Sequence, residues 1–156
     1  MTVQEVKEYL EAYGLDTRVQ EFSVSSATVE LAAAAVGVIP ARIAKTLSFR
    51  TADGAMLVVA AGDARIDNTK FKERFAMKAK MLAHEEVEQF IGHAVGGVCP
   101  FAVPASVPVY LDESMRRFAT IFPAAGSASS AVEMTPAELE QASRAAGWVN
   151  VCKDWE

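Results

Sequence analysis

"ARIAKTLSFRTADGAMLVVAAGD", Ala41 to Asp63, decides how the rest of the chain must fold. Asp53-Gly54 is a turn signal between two strand-like runs, so the stretch reads as a β-hairpin. Its second run, Met56 to Ala61, is apolar on both faces, which places that strand in the middle of a sheet. The first run carries an anomaly. When extended, it puts Ile43, Lys45, Leu47 and Phe49 on one face and Ala44, Thr46 and Ser48 on the other. Lys45 then shares the apolar face. Two readings fit: the stem carries the ammonium past its neighbours to water, or the lysine faces a cleft and holds an anion or a carbonyl oxygen. The second reading requires a partner or ligand, because an uncompensated buried charge is costly.

Working outward, the N-terminal segment predicts a helix with a T-x-x-E capping box at Thr2 and Glu5 and a closing Gly14. A short strand follows at about Thr17 to Phe22. "SSATVELAAAAVG" predicts a second helix, capped by Ser25 or Ser26 and closed by Gly37. After the hairpin come a helix around Asn68 to Phe75, a strand near Lys80 to Leu82 and a helix from His84 to Ile91. "VPVYL", "ATIF" and "SAVEM" are strand-like. Thr135-Pro136-Ala137-Glu138 is a strong helix start, with that helix expected to run to Gly147 and "WVNVC" to form a last strand. Strands and helices mix without a regular βαβ repeat, so the expectation is α+β with a mixed sheet. No repeat or long linker divides the chain, and residues 1–156 read as a single domain.

Composition narrows the function classes. The 156 residues are 51% hydrophobic and 22% charged, ordinary for a globular protein. No apolar run approaches the roughly 20 residues that span a bilayer, and the N-terminus lacks the pattern of a signal peptide. With only Cys99 and Cys152 there is no disulfide framework and no paired-cysteine zinc motif, so a reducing, cytoplasmic setting without a membrane is expected. The net charge of −5 argues against indiscriminate coating of nucleic acid. "KFKERFAMKAK" still concentrates Lys70, Lys72, Arg74, Lys78 and Lys80 around one acid, either as a solvated helix face or as a phosphate-contacting patch.

Three further features bear on chemistry. "VGGVCPF", Val95 to Phe101, is a glycine turn whose N–H groups could bind a carbonyl oxygen or carboxylate, or a tight turn and nothing more. Cys99 within it, with His93 and His84 nearby in sequence, raises a cysteine nucleophile with a histidine base, which needs spatial contact to work. "PAAGSASSA", Pro123 to Ala131, is either a flexible loop or the rim of a pocket defined by small side chains.

Taken together, these residues resemble a known family. "TVELAAAAVGVIPARIAKTLSF" is similar to its helix, turn and lysine-bearing strand, with Lys45-Thr46 as the signature pair. "GGVCPF" resembles its G-x-x-x-P loop, with Gly96 and Pro100 in the defining positions, and "VYLDESM", Gly126 and "VVAAGDARIDNTKF" extend the match. The resemblance is to the YbaK/EbsC/ProX family, free-standing relatives of the editing domain inserted in bacterial prolyl-tRNA synthetases. It implies a compact α+β domain around a barrel-like mixed sheet surrounded by helices. It further implies trans-editing: hydrolysis of the ester joining a wrong small amino acid to tRNA, typically tRNA for proline, without metal or organic cofactor. By the resemblance Lys45 is the catalytic residue, and Thr46, Gly96, Gly97, Val98, Cys99, Pro100, Gly126 and Ser127 surround the substrate. The implied partners are the acceptor end of a mischarged tRNA, touched weakly by the basic segment, and a synthetase such as the prolyl enzyme. The alternative from another class is a module that binds aminoacyl-tRNA or a nucleotide without turning it over.

One departure concerns specificity. Cysteine-selective relatives carry a serine and glycines in the loop matching Pro123 to Gly126 and an aspartate soon after, whereas this chain has alanines at Ala124 and Ala131. Cysteine, alanine, serine, threonine or another small residue therefore stay open as the amino acid removed. Small side chains at Ala124, Ala125, Gly126 and Ser127 would suit a sieve for such a residue.

Overall fold

The computed structural model of the chain describes residues 2–155. The hairpin forms as expected and is the centre of the molecule. β1 is Val19–Glu21, β2 is Ile43–Thr51 and β3 is Gly54–Ala61. β2 and β3 pair antiparallel from Ala44↔Ala61 to Thr51↔Gly54. β3 is buried from Ala55 to Ala61, because a strand apolar on both faces is stable only where both are covered. It lies third in a five-stranded mixed sheet. With β4 at Arg65–Ile66, β5 at Val109–Asp112, β6 at Phe122–Pro123, β7 at Ser130–Val132, β8 at Gly147–Val149 and β9 at Cys152–Lys153, the order is β6-β2-β3-β5-β8. The β2–β6, β3–β5 and β5–β8 pairs are parallel. The sheet curls into a half-barrel, and β1–β7 and β4–β9 form two further two-stranded antiparallel sheets.

Five α-helices flank it: α1 Val3–Glu11, α2 Val29–Val36, α3 Asn68–Phe75, α4 His84–Ile91 and α5 Pro136–Ala142. Their starts follow from local chemistry. The Thr2 hydroxyl accepts the Glu5 N–H at 3.2 Å, and at α5 both halves of the Thr135–Glu138 capping box form, at 2.9 and 3.1 Å. α3 presents Phe71, stacked between Phe49 and Phe75 with ring centroids 4.8 Å from each, and Phe75 continues to Tyr110 at 5.0 Å. Such offset aromatic contacts add to area burial and pin the helix to the hairpin. Ala32 and Ala33 of α2 bury against Ile43 and Phe122 as a separate small cluster. Their lack of bulk brings the helix axis close to β2.

Four expectations are corrected. α2 is capped by Thr28, whose hydroxyl accepts the Leu31 N–H, and not by Ser25 or Ser26. α5 stops at Ala142, because Ala146 donates to Val109 at 2.7 Å and Gly147 must enter the sheet beside Tyr110. "WVNVC" divides into β8 and β9, since the Asp112 carboxylate takes the Val151 N–H between them. The segment near Lys80 to Leu82 joins β2 only through the Phe49↔Met81 bridge and its flanking backbone bonds, Arg50 to Lys80 and Leu82 to Ser48. Among the described residues no helix is long and apolar enough to cross a membrane.

Candidate functional site

Along β2, burial is complete at Ile43 and Ala44, partial from Lys45 to Leu47, and complete again at Ser48 and Phe49. A cavity of about 470 Å³ borders this strand. Residues of both parities border it, so strict alternation does not describe what the lysine meets. Two helix starts, the glycine turn and the β6–β7 segment complete the wall. Ser26 to Val29 lead into α2, Met81 to His84 lead into α4, and Gly96 with Val98 come from the glycine turn. Ala124, Ser130 and Ala131 line it from the β6–β7 connection. Met81 and Val95, 53% and 46% exposed, mark the open side.

Lys45 is half-buried, and its ammonium turns toward the turn after β3. It donates to the Ala64 carbonyl and, at 3.4 Å, to the Gly62 carbonyl. An ammonium has three N–H donors, so one remains for a ligand. Desolvation holds its pKa below the ordinary lysine range, opposed by Asp63 and Glu30 and reinforced by Arg65. Thr46, next along, also lines the cavity, and its Oγ1 is buried without a hydrogen-bond partner. A buried hydroxyl left unpaired is costly, and a polar substrate group would relieve that cost.

The glycine loops explain why these segments can meet. A Cβ on Gly97 would lie 2.8 Å from the Ser127 Cα, backbone against backbone. Gly96 has φ +91°, a conformation L side chains rarely adopt. The Ser130 hydroxyl accepts the N–H groups of Ala125 and Ser127 and donates to the Ser127 carbonyl, each at 3.2 Å. It is the hub that shapes the small-residue loop.

The predicted site residues divide accordingly. Lys45, Thr46, Gly96 and Val98 line the cavity. Gly97, Cys99, Pro100, Gly126 and Ser127 do not; the first four are buried and Ser127 is half-buried. The Gly97 N–H donates to Ala94 at 3.0 Å, so it is not a free donor for substrate. Of the basic residues, Lys72, Arg74, Lys78 and Lys80 are exposed, and Arg74 stacks over Phe75 and Tyr110. Lys70 instead donates to the Cys152 carbonyl at 3.1 Å and ties α3 to the C-terminal strand. Lys80 adjoins Met81, so this segment runs to the mouth of the cavity. Sequence reasoning missed Ser26, Ser130, Met81 and His84 in the cavity wall. The serine run around Ser130 was the available signal, since serine hydroxyls habitually bond local backbone in turns.

A cysteine mechanism is ruled out by geometry. His93 Nε2 lies 2.8 Å from the Phe101 carbonyl and must donate to it, leaving no lone pair there for the Cys99 thiol 3.5 Å away. Both side chains are fully buried, desolvation lowers the His93 pKa, and burial pushes the Cys99 thiol up to about 12. At pH 8 the thiol is then overwhelmingly protonated. Native protein treated with iodoacetamide at pH 8 will keep Cys99 unmodified, as peptide mass spectrometry will show, and rapid labelling would contradict the assignment. Among the described residues no three His, Cys, Asp or Glu side chains come together as a donor set for a metal ion.

Residues 24–142 match the family described as the aminoacyl-tRNA editing domain. The uncharacterized protein YwhH of Bacillus subtilis (strain 168) is 50% identical over 157 residues, covering 100% of both chains. The crystal structure of a protein provisionally described as a trans-editing enzyme for prolyl tRNA synthetase superposes with a TM-score of 0.87. It is 30% identical, over 97% of this chain and 96% of that one. The hypothetical protein APE2540 gives a TM-score of 0.85 at 29% identity, over 96% of this chain and 99% of that one.

Proposed function

Because the chain belongs to the aminoacyl-tRNA editing domain family, we propose that it is a deacylase acting in trans on tRNA charged with a wrong small amino acid. Tethered Lys45, on a cavity wall that holds among the described residues no other lysine and no arginine, aspartate or glutamate, is the observation that carries this reading. The cavity takes the aminoacyl end. The free Lys45 N–H meets the ester carbonyl oxygen, where negative charge grows as the tetrahedral intermediate forms. Thr46 Oγ1 is placed to bond a polar group of the substrate. Among the described residues, no cavity serine or threonine is hydrogen-bonded to a histidine or carboxylate, so no hydroxyl is activated as a nucleophile. The attacking oxygen is therefore that of water, oriented by the terminal ribose hydroxyl; its hydroxyl joins the acyl carbon and its proton passes to the leaving ribose oxygen. The ester C–O bond breaks, releasing the amino acid and a free tRNA terminus, and catalysis rests on positioning and electrostatics.

Such an activity answers a physical problem. A synthetase pocket discriminates one methylene by only about 1–3 kcal/mol, and a second pocket that admits the smaller side chain restores fidelity. Ala124 and Ala131 in the wall set that pocket's size. The proposed substrate is tRNA for proline carrying alanine, cysteine or a similar residue. The proposed setting is the cytoplasm, beside the prolyl synthetase, with Lys72, Lys78 and Lys80 near the acceptor phosphates. The test is incubation with that tRNA charged separately with cysteine, alanine, serine, threonine and proline, with and without a chelator. Rapid loss of one or two small residues, sparing proline and indifferent to the chelator, is the expected result. Decay of every ester at the buffer rate, alongside saturable tRNA binding, would show a binding module instead.

A further inference from the structure

The two carbonyls that receive Lys45 belong to a three-residue turn, Gly62 to Ala64, and that turn is gripped from outside. Between them Asp63 makes a two-pronged contact with Arg117, Nη1–Oδ2 at 3.0 Å and Nη2–Oδ1 at 2.5 Å. Arg117 is itself fixed. Its Nε donates to the Ser114 carbonyl at 2.8 Å and its Nη1 to the Trp155 carbonyl. Its guanidinium lies over the rings of Phe118 and Trp155, 4.8 and 5.1 Å from their centroids. The same short helical turn, Glu113–Arg117, holds the start of the segment from below, where the buried Ser114 hydroxyl accepts the Ala61 N–H at 3.1 Å. Asp112 fixes Ser114 in turn through its N–H at 3.0 Å.

A solvent-exposed ion pair contributes little to stability, yet the two bonds that Arg117 makes to Asp63 come from a guanidinium held by four further contacts, to the Ser114 and Trp155 carbonyls and to the Phe118 and Trp155 rings. We propose that Arg117 is a positioning residue: through Asp63 it clamps the Gly62–Ala64 turn, whose carbonyls aim the Lys45 ammonium into the cavity. A planar fork suits this task, because two parallel N–H···O bonds fix the orientation of the carboxylate as well as its distance. Arg117 stands 72 positions from Lys45 in the chain and does not line the cavity, so it acts only through the turn.

The inference rests on Lys45 being the working group of the deacylase, and its test separates the two ideas. Arg117→Ala, Asp63→Asn and the double variant are compared with the wild type in two ways. One is deacylation kinetics on whichever charged tRNA the wild type hydrolyses. The other is the rate at which trinitrobenzenesulfonate labels the Lys45 amine, read by peptide mass spectrometry. Each single variant should lower kcat about 10- to 100-fold, with KM moving less, as small misplacements of a catalytic group do. The double should lose no more than the worse single, since both cut one contact. Lys45 should label several-fold faster in all three, while the exposed Lys72 and Lys78 label as before. Lys45 labelling at the wild-type rate in Arg117→Ala and Asp63→Asn would overturn the clamp, as would losses in kcat that multiply in the double. If the wild type hydrolyses no ester, the functional reading fails and the labelling arm still decides the clamp.

Discussion

Lys45→Ala will reduce protein-dependent ester loss by about 10²–10³-fold, the usual cost of removing one donor from a developing oxyanion. The folded structure will survive. Its melting temperature will hold or rise slightly, because desolvation already lowers the Lys45 pKa, meaning the charged form is held against a penalty that alanine does not incur. The pH dependence follows from the same shift. A lysine depressed in the folded state loses its proton below the pH at which an exposed lysine does, so the protein-dependent rate declines on the alkaline side before the ordinary lysine range. Cys152, itself pushed up to about 12, is neutral over that interval. For stability, the unfolded chain binds more protons than the folded one between the two pKa values, so the wild type gains stability with rising pH there and Lys45→Ala does not. Equal deacylation by wild type and variant would remove Lys45 from the mechanism. A coincident collapse of the circular-dichroism spectrum would mean a folding defect, which Lys45→Met, keeping the stem without the charge, resolves.

The lysine was legible before the fold because it broke a pattern: a charge in an alternating apolar run has to be explained. What it touches was not legible. Gly62, Ala64 and Arg117 have unremarkable neighbours in sequence, and backbone carbonyls leave no mark on composition. The same division runs through the fold. The central strand, the Gly37 C-cap, the α3 and α4 spans and the Thr135 box were readable because propensity and capping act within a few residues. Thr28 displaced the serines as the α2 cap because Ser26 is committed elsewhere, its N–H to Ala128 and its hydroxyl to Ser130. Similarly, α5 ended early and "WVNVC" broke in two for the sake of pairing with β5 and bonding to Asp112, contacts more than 30 positions distant. The glycine motifs were legible, but which of their residues reach the cavity was not. Gly97 and Gly126 serve close packing of loop on loop and of loop on α1, and from the glycine turn it is Gly96 and Val98 that reach the cavity.

Gly62→Ala should be the most disruptive small substitution in the site, and its cause is steric. Gly62 has no unusual φ, so backbone conformation does not demand glycine there. A Cβ at this position would instead sit 2.0 Å from the Pro40 carbonyl oxygen and 2.7 Å from Val29 Cγ1. Val29 is a side chain and can rotate; the Pro40 carbonyl is backbone at the end of the α2 connection and can move only if α2 moves with it. Overpacking a core typically costs about 1–3 kcal/mol, and a contact this short against main chain should reach or pass the upper end of that range. The loss will appear as a lower urea midpoint with an unchanged m-value. Gly147→Ala, where nothing lies within 4 Å of the added carbon, is the control and should shift the midpoint little. Because Gly62 also supplies a carbonyl to Lys45, the variant will lose deacylation at temperatures where it is still folded. A variant that matches wild type in both stability and rate would mean that α2 yields freely, and that the approach of Pro40 to the end of β3 does not hold the cavity's shape.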